Sequence, residues 1–277
     1  MNAGSCLCGA LRYEVDVGGS VLTHCHCRTC RKHHGAPFAS FVAVGLNSFR
    51  WLSGENQLIT FGTPLRPRCA CEVCGAVAPV RVADEYLVPA GNLSGELDVR
   101  EGRHVCVAAK PAWHRIGDRL PQFAGGVADW ACEPGAPPAP AADGPIPGSC
   151  SCGDVTFDVT GEPARWMQCH CSRCRRARSA AHGSNTFYPT AQFTWRTGKD
   201  KLRSFTPPDA KRFAATFCVR CGGGAPVERE NVPFVLIPAA LFDTELPKRP
   251  DAHIHMASKS TWYTFVDDLP QFAELPS

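Results

Sequence analysis

Residues 25–30 read Cys25-His26-Cys27-Arg28-Thr29-Cys30, and residues 169–174 read Cys169-His170-Cys171-Ser172-Arg173-Cys174. The same thiol triplet occurs twice, and its surroundings repeat with it. Upstream lie Cys6-x-Cys8 and Cys150-x-Cys152; downstream lie Cys71-x-x-Cys74-Gly75 and Cys218-x-x-Cys221-Gly222. In both copies the triplet opens 19 positions after the first cysteine, from 6 to 25 and from 150 to 169. Seven thiols per copy fit one closed four-thiolate metal site plus one three-thiolate site with a free position. Secreted disulfide scaffolds are usually short, with an even cysteine count. This chain has 277 residues and 17 cysteines clustered as CxC and CxxC, so metal ligation is the expectation. A thioredoxin-like CxxC would open a helix; here Ala76-Val77-Ala78-Pro79-Val80 follows, a turn into a strand.

The repetition extends beyond cysteine. Leu11 to Val15 matches Val155 to Val159, both alternating as half-buried strands do. His104 to Phe123 matches His253 to Phe272, with Lys110, Trp113 and Asp118 answering Lys259, Trp262 and Asp267. The offset grows from 144 to 149 along the chain. Between the copies runs a proline-dense stretch, Glu133-Pro134-Gly135-Ala136-Pro137-Pro138-Ala139-Pro140, continuing to Pro147. Proline at that density disfavours helix and sheet and makes a stiff spacer. The expected organisation is a first domain at 1–124, a Pro/Ala/Gly-rich linker at 125–147 and a second domain at 148–277. Strand is expected throughout, for example at Phe38 to Val44, Gln57 to Phe61 and Phe234 to Ile237. One short helical turn is expected after each triplet, at Arg28 to His34 and Arg173 to Ala180. A small, mostly β domain has a limited core, which two metal crosslinks would reinforce. The two domains are expected to pack as a pseudo-two-fold pair within one monomeric chain.

A net charge of +3 gives no strong reason to expect nucleic acid or an anionic membrane as partner. No run approaches the roughly 18 apolar residues of a membrane span. The start, Met1-Asn2-Ala3-Gly4-Ser5-Cys6, lacks a basic region followed by an apolar core, so a cytoplasmic location is expected.

On its CxC, CHCxxC and CxxCG elements and its closing Leu120-Pro121-Gln122-Phe123, the chain resembles the glutathione-dependent formaldehyde-activating (GFA) enzyme family. That family includes centromere protein V-like proteins. The second copy, ending Leu269-Pro270-Gln271-Phe272, carries the full set too. The resemblance implies a mostly β, β-tent, zinc-ribbon-like fold holding up to four Zn²⁺ per chain. It implies structural zinc on Cys6, Cys8, Cys71 and Cys74, and on Cys150, Cys152, Cys218 and Cys221. It implies catalytic zinc on Cys25, Cys27 and Cys30, and on Cys169, Cys171 and Cys174. The activity it implies is that of a carbon–sulfur lyase acting on a thiol–aldehyde adduct, with glutathione or another thiol as co-substrate. The usual member has one domain, so the tandem is a departure.

The residues leave two readings open. Zn²⁺ on three thiolates is a weak Lewis acid, better suited to holding a substrate thiol as thiolate than to ionising water. If a fourth protein ligand closes each triplet, the alternative is a non-catalytic zinc-binding interaction module. Cys69, Cys106 and Cys132 are the spare thiols, and no cysteine of the second copy answers them. Proton-transfer candidates are His26, His33, His34, His170 and His182, each weighed against a packed neutral role. Arg28, Arg31 and Lys32, and Arg173, Arg175, Arg176 and Arg178, either receive substrate carboxylates or form a solvated basic face.

Overall fold

A computed structural model of the chain describes residues 1–64, 66–132, 137–140 and 143–276. It is mostly β, and its two halves repeat one topology. In repeat one, Asn2–Ser5, Arg12–Val15 and Phe49–Ser53 form an antiparallel three-stranded sheet. The equivalent sheet of repeat two is Ile146–Ser149, Thr156–Val159 and Phe193–Thr197. The alternation of Arg12–Val15 resolves as expected, with Tyr13 and Val15 buried.

The second sheet carries the triplets. In repeat one its order is Glu101–Val105, Val21–Cys25, Ala39–Gly45, Glu85–Pro89 and Val80–Val82. In repeat two it is Ala252–Ile254, Arg165–Cys169, Gly183–Pro189 and Phe234–Pro238. The first two strands of each run parallel, pairing Val105 with Cys25 and Ile254 with Cys169. The triplet thus starts at a strand end, beside the residue that leaves the neighbouring strand. A hairpin completes each repeat, Leu58–Thr63 with Arg66–Cys71 and Leu202–Phe205 with Ala215–Cys218. It delivers the CxxC cysteines towards the CxC.

Helix α1, Arg28–His34, and helix α2, Ser172–Arg178, follow the triplets. Cys27 caps α1, its sulfur accepting from the Cys30 N–H at 3.4 Å; Cys171 caps α2 through Cys174 N–H at 3.3 Å. The middle thiol of each triplet therefore meets the positive end of a short helix.

The halves pack as a pseudo-dimer. Helix α1 lies against Ala239–Leu241 of repeat two, and α2 against Ala90–Asn92 of repeat one. Trp113 packs on the core of repeat two, 5.0 Å from the Trp166 ring, while Trp262 packs on the core of repeat one. The CxxCG glycines cross over as well. Gly75, at φ +70°, abuts Phe217, where a Cβ would lie 2.3 Å from the ring. Gly222, at φ +68°, abuts Ala70, where a Cβ would meet the Ala70 methyl at 2.2 Å. Both the left-handed turn and the close approach require glycine.

Of the span read as linker, residues 133–136 and 141–142 lie outside the described residues, as does Ser277 of the second domain. Residues 125–132 lie against repeat one, burying Trp130, and Ile146–Ser149 is already a strand of repeat two. Among the described residues no helix is long and apolar enough to cross a membrane.

Candidate metal centres

Two four-thiol clusters form from the CxC and CxxC elements. The sulfurs of Cys6, Cys8, Cys71 and Cys74 lie within 4.8 Å of one another, as do those of Cys150, Cys152, Cys218 and Cys221. Backbone amides reinforce them: Leu11 N–H donates to Cys6 at 3.3 Å and Val155 N–H to Cys150 at 3.4 Å. Cys6 is held far below the usual thiol range by hydrogen bonds from Cys71 and Cys74, and ionised Cys6 in turn pushes both up. Four crowded thiols cannot all ionise against one another without a cation. The donor set, its burial and its amide support fit a soft divalent metal.

The triplets form two three-thiol clusters, Cys25–Cys27–Cys30 and Cys169–Cys171–Cys174, again within 4.8 Å. The helix-capping thiol is the acidic one in each. Cys27 is lowered by hydrogen bonds from Cys25 and Cys30, with the Cys30 amide adding to them. Cys171 is lowered to about 2, first by Cys169 and then by Cys174. Cys25 and Cys174 move up. Three converging sulfurs with one helix N-terminus fit a metal with at least one further position to fill.

The surroundings of the two triplets differ. Beside Cys25, Cys27 and Cys30 is a cavity of about 150 Å³, walled by Arg66, Arg68, Leu87 and the segment Asp129 to Ala131. Trp130 fills its edge, 8% exposed and 5.5 Å from the Phe41 ring. Beside Cys174 is a cavity of about 560 Å³, lined by Arg165, Arg178, Arg212, Arg229, Asn185 and Phe213 among others. Asn185 Nδ2 points at Cys174 Sγ across 3.8 Å. Burial lowers Arg178, opposed by its electrostatic interaction with Cys174.

A family model for the glutathione-dependent formaldehyde-activating enzyme matches residues 1–108 and 145–258. The chain belongs to the GFA family. Each matched segment of this GFA protein contains one complete seven-cysteine set. A crystal structure of a Rhodobacter sphaeroides protein is similar over 34% of this chain and 89% of its own, at 27% identity and a TM-score of 0.29. No curated protein matches.

The histidines weighed as proton carriers are brought elsewhere. His26 Nε2 pairs with His104 Nδ1 at 2.9 Å, and His104 Nε2 with Asp118 at 3.0 Å. Repeat two duplicates this relay as His170, His253 and Asp267, at 2.8 and 2.9 Å. If the aspartate accepts from His104 Nε2, then His104 Nδ1 must accept from His26 Nε2–H, which fixes both tautomers. Burial holds His26, His33, His34, His170 and His182 below the usual imidazole range, hence neutral. None of the five lines a triplet cavity. The relay pins the loop that carries the thiols, since His26 N–H also donates to Val105 and His170 N–H to Ile254.

The basic residues near the triplets divide. Arg28 and Lys32 pair with Asp243, Arg173 with Asp209, and Arg31 with the His26 carbonyl. Arg176 reaches Ser94 Oγ. Only Arg178 of the set lines the large cavity; Arg165 joins it from the start of the strand that ends at Cys169, and Arg212 and Arg229 from more distant segments. Of the spare thiols, Cys69 sits beside Thr60 Oγ1 at 3.8 Å, outside every cluster among the described residues. Cys106 and Cys132 are disulfide-bonded.

Proposed function

We propose that the chain is a zinc-dependent enzyme of carbon–sulfur chemistry, joining a thiol to an aldehyde or releasing the adduct, with its working site in repeat two. The observation that carries this is the basic cavity of about 560 Å³ opening on Cys174. Its volume falls in the range of about 300–1,000 Å³ of small-molecule sites, and that of repeat one does not. Zinc held by Cys169, Cys171 and Cys174 would supply a position that keeps a substrate sulfur as thiolate. Arg165, Arg212 and Arg229 offer guanidinium groups to the carboxylates of a peptide-like thiol such as glutathione. The reaction forms one S–C bond, and the thiol proton ends on the former carbonyl oxygen. Arg178, buried and close to Cys174, is positioned to donate to that oxygen as charge builds on it.

Exchange between glutathione, formaldehyde and S-hydroxymethylglutathione, followed by NMR line exchange, tests this reading. Cys171→Ser should reduce the enzyme-dependent rate to background, and Arg178→Gln should lower it roughly 10²-fold, the scale of losing one oxyanion donor. Cys27→Ser should leave it largely intact. Full activity in Cys171→Ser would overturn the proposal, and loss confined to Cys27→Ser would move the working site to repeat one.

A further inference from the structure

Cys106 and Cys132, two of the three thiols of repeat one outside the double pattern, sit beside its triplet. Cys106 Sγ lies 3.5 Å from Cys25 Sγ, and the sulfurs of Cys25, Cys106 and Cys132 fall within 4.8 Å of one another. Cys25 therefore belongs to two overlapping clusters, one with Cys27 and Cys30 and one with the Cys106–Cys132 pair. Topology explains the position. The parallel pairing of Val105 with Cys25 makes Cys106 the residue that turns away beside the triplet, at φ +58°. Cys132 arrives on a separate segment with its own anchors. Arg103 grips Asp129 with two hydrogen bonds of 2.9 and 2.7 Å, Val127 and Trp130 pair through their backbones, and Cys106 N–H donates to Gly125. These anchors fix the segment that leads into Cys132 through contacts other than the disulfide.

We propose that Cys106 and Cys132 form a redox gate on the metal site of repeat one. In the reduced protein the Cys106 thiolate is the fourth ligand to a zinc held by Cys25, Cys27 and Cys30, and the site is closed. In the disulfide, Cys106 no longer offers a thiolate, and the zinc keeps three protein ligands. The inference rests on the reading of the triplets as metal sites.

The chemistry balances with a small disulfide as oxidant. Cys132 is partly exposed and Cys106 is buried, so Cys132 attacks first. Its thiolate takes one sulfur of the small disulfide and expels one thiol. Cys106 then leaves the metal, attacks the Cys132 sulfur of the mixed disulfide and expels the second thiol. Two protein thiols lose two electrons and two protons; the small disulfide gains both and becomes two thiols.

Repeat two lacks the device. The position of Cys106 is taken by His255, also left-handed at φ +57°, whose Nδ1 pairs with Glu274 at 2.8 Å. A histidine there cannot form a disulfide, so oxidation acts on one repeat. Cys132 lies outside the segments that match the family model.

The test uses zinc-loaded full-length protein, reduced and freed of thiol under anaerobic conditions. It is challenged with a chromophoric zinc chelator before and after treatment with glutathione disulfide, and peptide mapping locates the disulfide formed. The expected result is a Cys106–Cys132 bond with one zinc per chain released roughly tenfold faster or more. Even loss of a partner outside the ligand shell weakens metal binding by about 10–100-fold. Cys132→Ser should hold that zinc tightly with or without oxidant. Cys106→Asn, compatible with the left-handed backbone, should release it quickly without oxidant. The gate is overturned if Cys132→Ser releases zinc on oxidation as wild type does. It is equally overturned if Cys106→Asn, folded by circular dichroism, retains zinc as the reduced wild type does. A reduced wild type that carries no metal on this triplet also overturns it. Zinc release in repeat one is read without turnover, so failure of the activity proposed for repeat two leaves this result standing.

Discussion

The junction between the repeats turns on one buried lysine, and removing its counter-charge should cost the fold dearly. Lys32 Nζ, on a side chain 1% exposed, lies 2.6 Å from Asp243 Oδ1. It also donates to the Ser149 carbonyl at 2.9 Å, to Ser149 Oγ at 2.6 Å and to the Leu241 carbonyl at 2.9 Å. Every partner belongs to repeat two. Breaking a buried ion pair from one side costs about 3–5 kcal/mol, because the other charge stays behind unpaired. Asp243 is 25% exposed and three oxygen acceptors would remain on Lys32. Asp243→Asn is therefore expected at the low end, about 3 kcal/mol. Lys32→Met removes the buried charge; Asp243 keeps Arg28 and Ser149 Oγ as partners, and the neutral acceptors left behind cost about 1–2 kcal/mol. The double variant should fall short of the sum of the singles by about 2 kcal/mol. Urea unfolding of zinc-loaded protein should show a midpoint drop of roughly 1 M or more for Asp243→Asn. Burial lowers Lys32 to about 8, opposed by the Asp243 carboxylate. The unfolded chain then binds more protons than the folded one between about 8 and the free-lysine value of about 10.4, so Lys32 makes stability rise with pH across that window. Lys32→Met should flatten the rise. An Asp243→Asn midpoint indistinguishable from wild type would refute the reasoning, as would strict additivity in the double variant.

Two further outcomes follow from the same geometry. Cys218→Ser should cost far more thermal stability than Cys171→Ser, because a closed four-thiolate metal contributes folding energy outright while a triplet metal crosslinks one short stretch; equal losses by calorimetry would contradict the division of the clusters. Trp113→Ala should destabilise repeat two, whose core it joins from repeat one, by about 3 kcal/mol, the lower end for a truncated tryptophan, and a variant whose loss appears only in repeat one by hydrogen exchange would contradict the exchanged packing.

Much of this architecture is legible in the sequence because thiol spacing is local. The CxC, the triplet and the CxxC each fix their cysteines within a few residues, and the duplicated order says which belong to each repeat. The helices after the triplets are legible for the same reason, since the middle thiol doubles as the cap. What escapes the sequence depends on distant segments meeting. Arg212 and Arg229 reach the large cavity from segments far along the chain that no spacing links to the triplet, while Arg165 opens the strand that ends at Cys169. The His–His–Asp relay was visible only as matched letters, His104 with His253 and Asp118 with Asp267. Its geometry needs the parallel strand pairing that sets His104 level with His24, two residues before His26. Sequence proximity leaves the histidines beside the triplet open to proton transfer or to a packed neutral role; a strand end followed by a helix turns them inward, where burial keeps them neutral.

The pseudo-two-fold frame gives the asymmetries their meaning. Equivalent positions carry Cys106 and His255 beside the triplets, and Lys32 and Arg176 on the helices that cross the junction. Repeat one is the more enclosed: a buried lysine locked to repeat two, the Cys106–Cys132 disulfide against the triplet and Trp130 at the cavity edge. Repeat two is the more open: an arginine at the surface, a histidine paired with glutamate, and a wide basic cavity. Neither half can discard its frame, because each core is completed by a tryptophan from the other. A single-domain relative that closed its triplet would lose its site altogether. In a fused pair, the closed repeat still supplies Trp113 to the core behind the open one. If the proposed gate closes the metal site of repeat one, the proposed chemistry in repeat two keeps its frame, and the two sites would communicate through the shared junction.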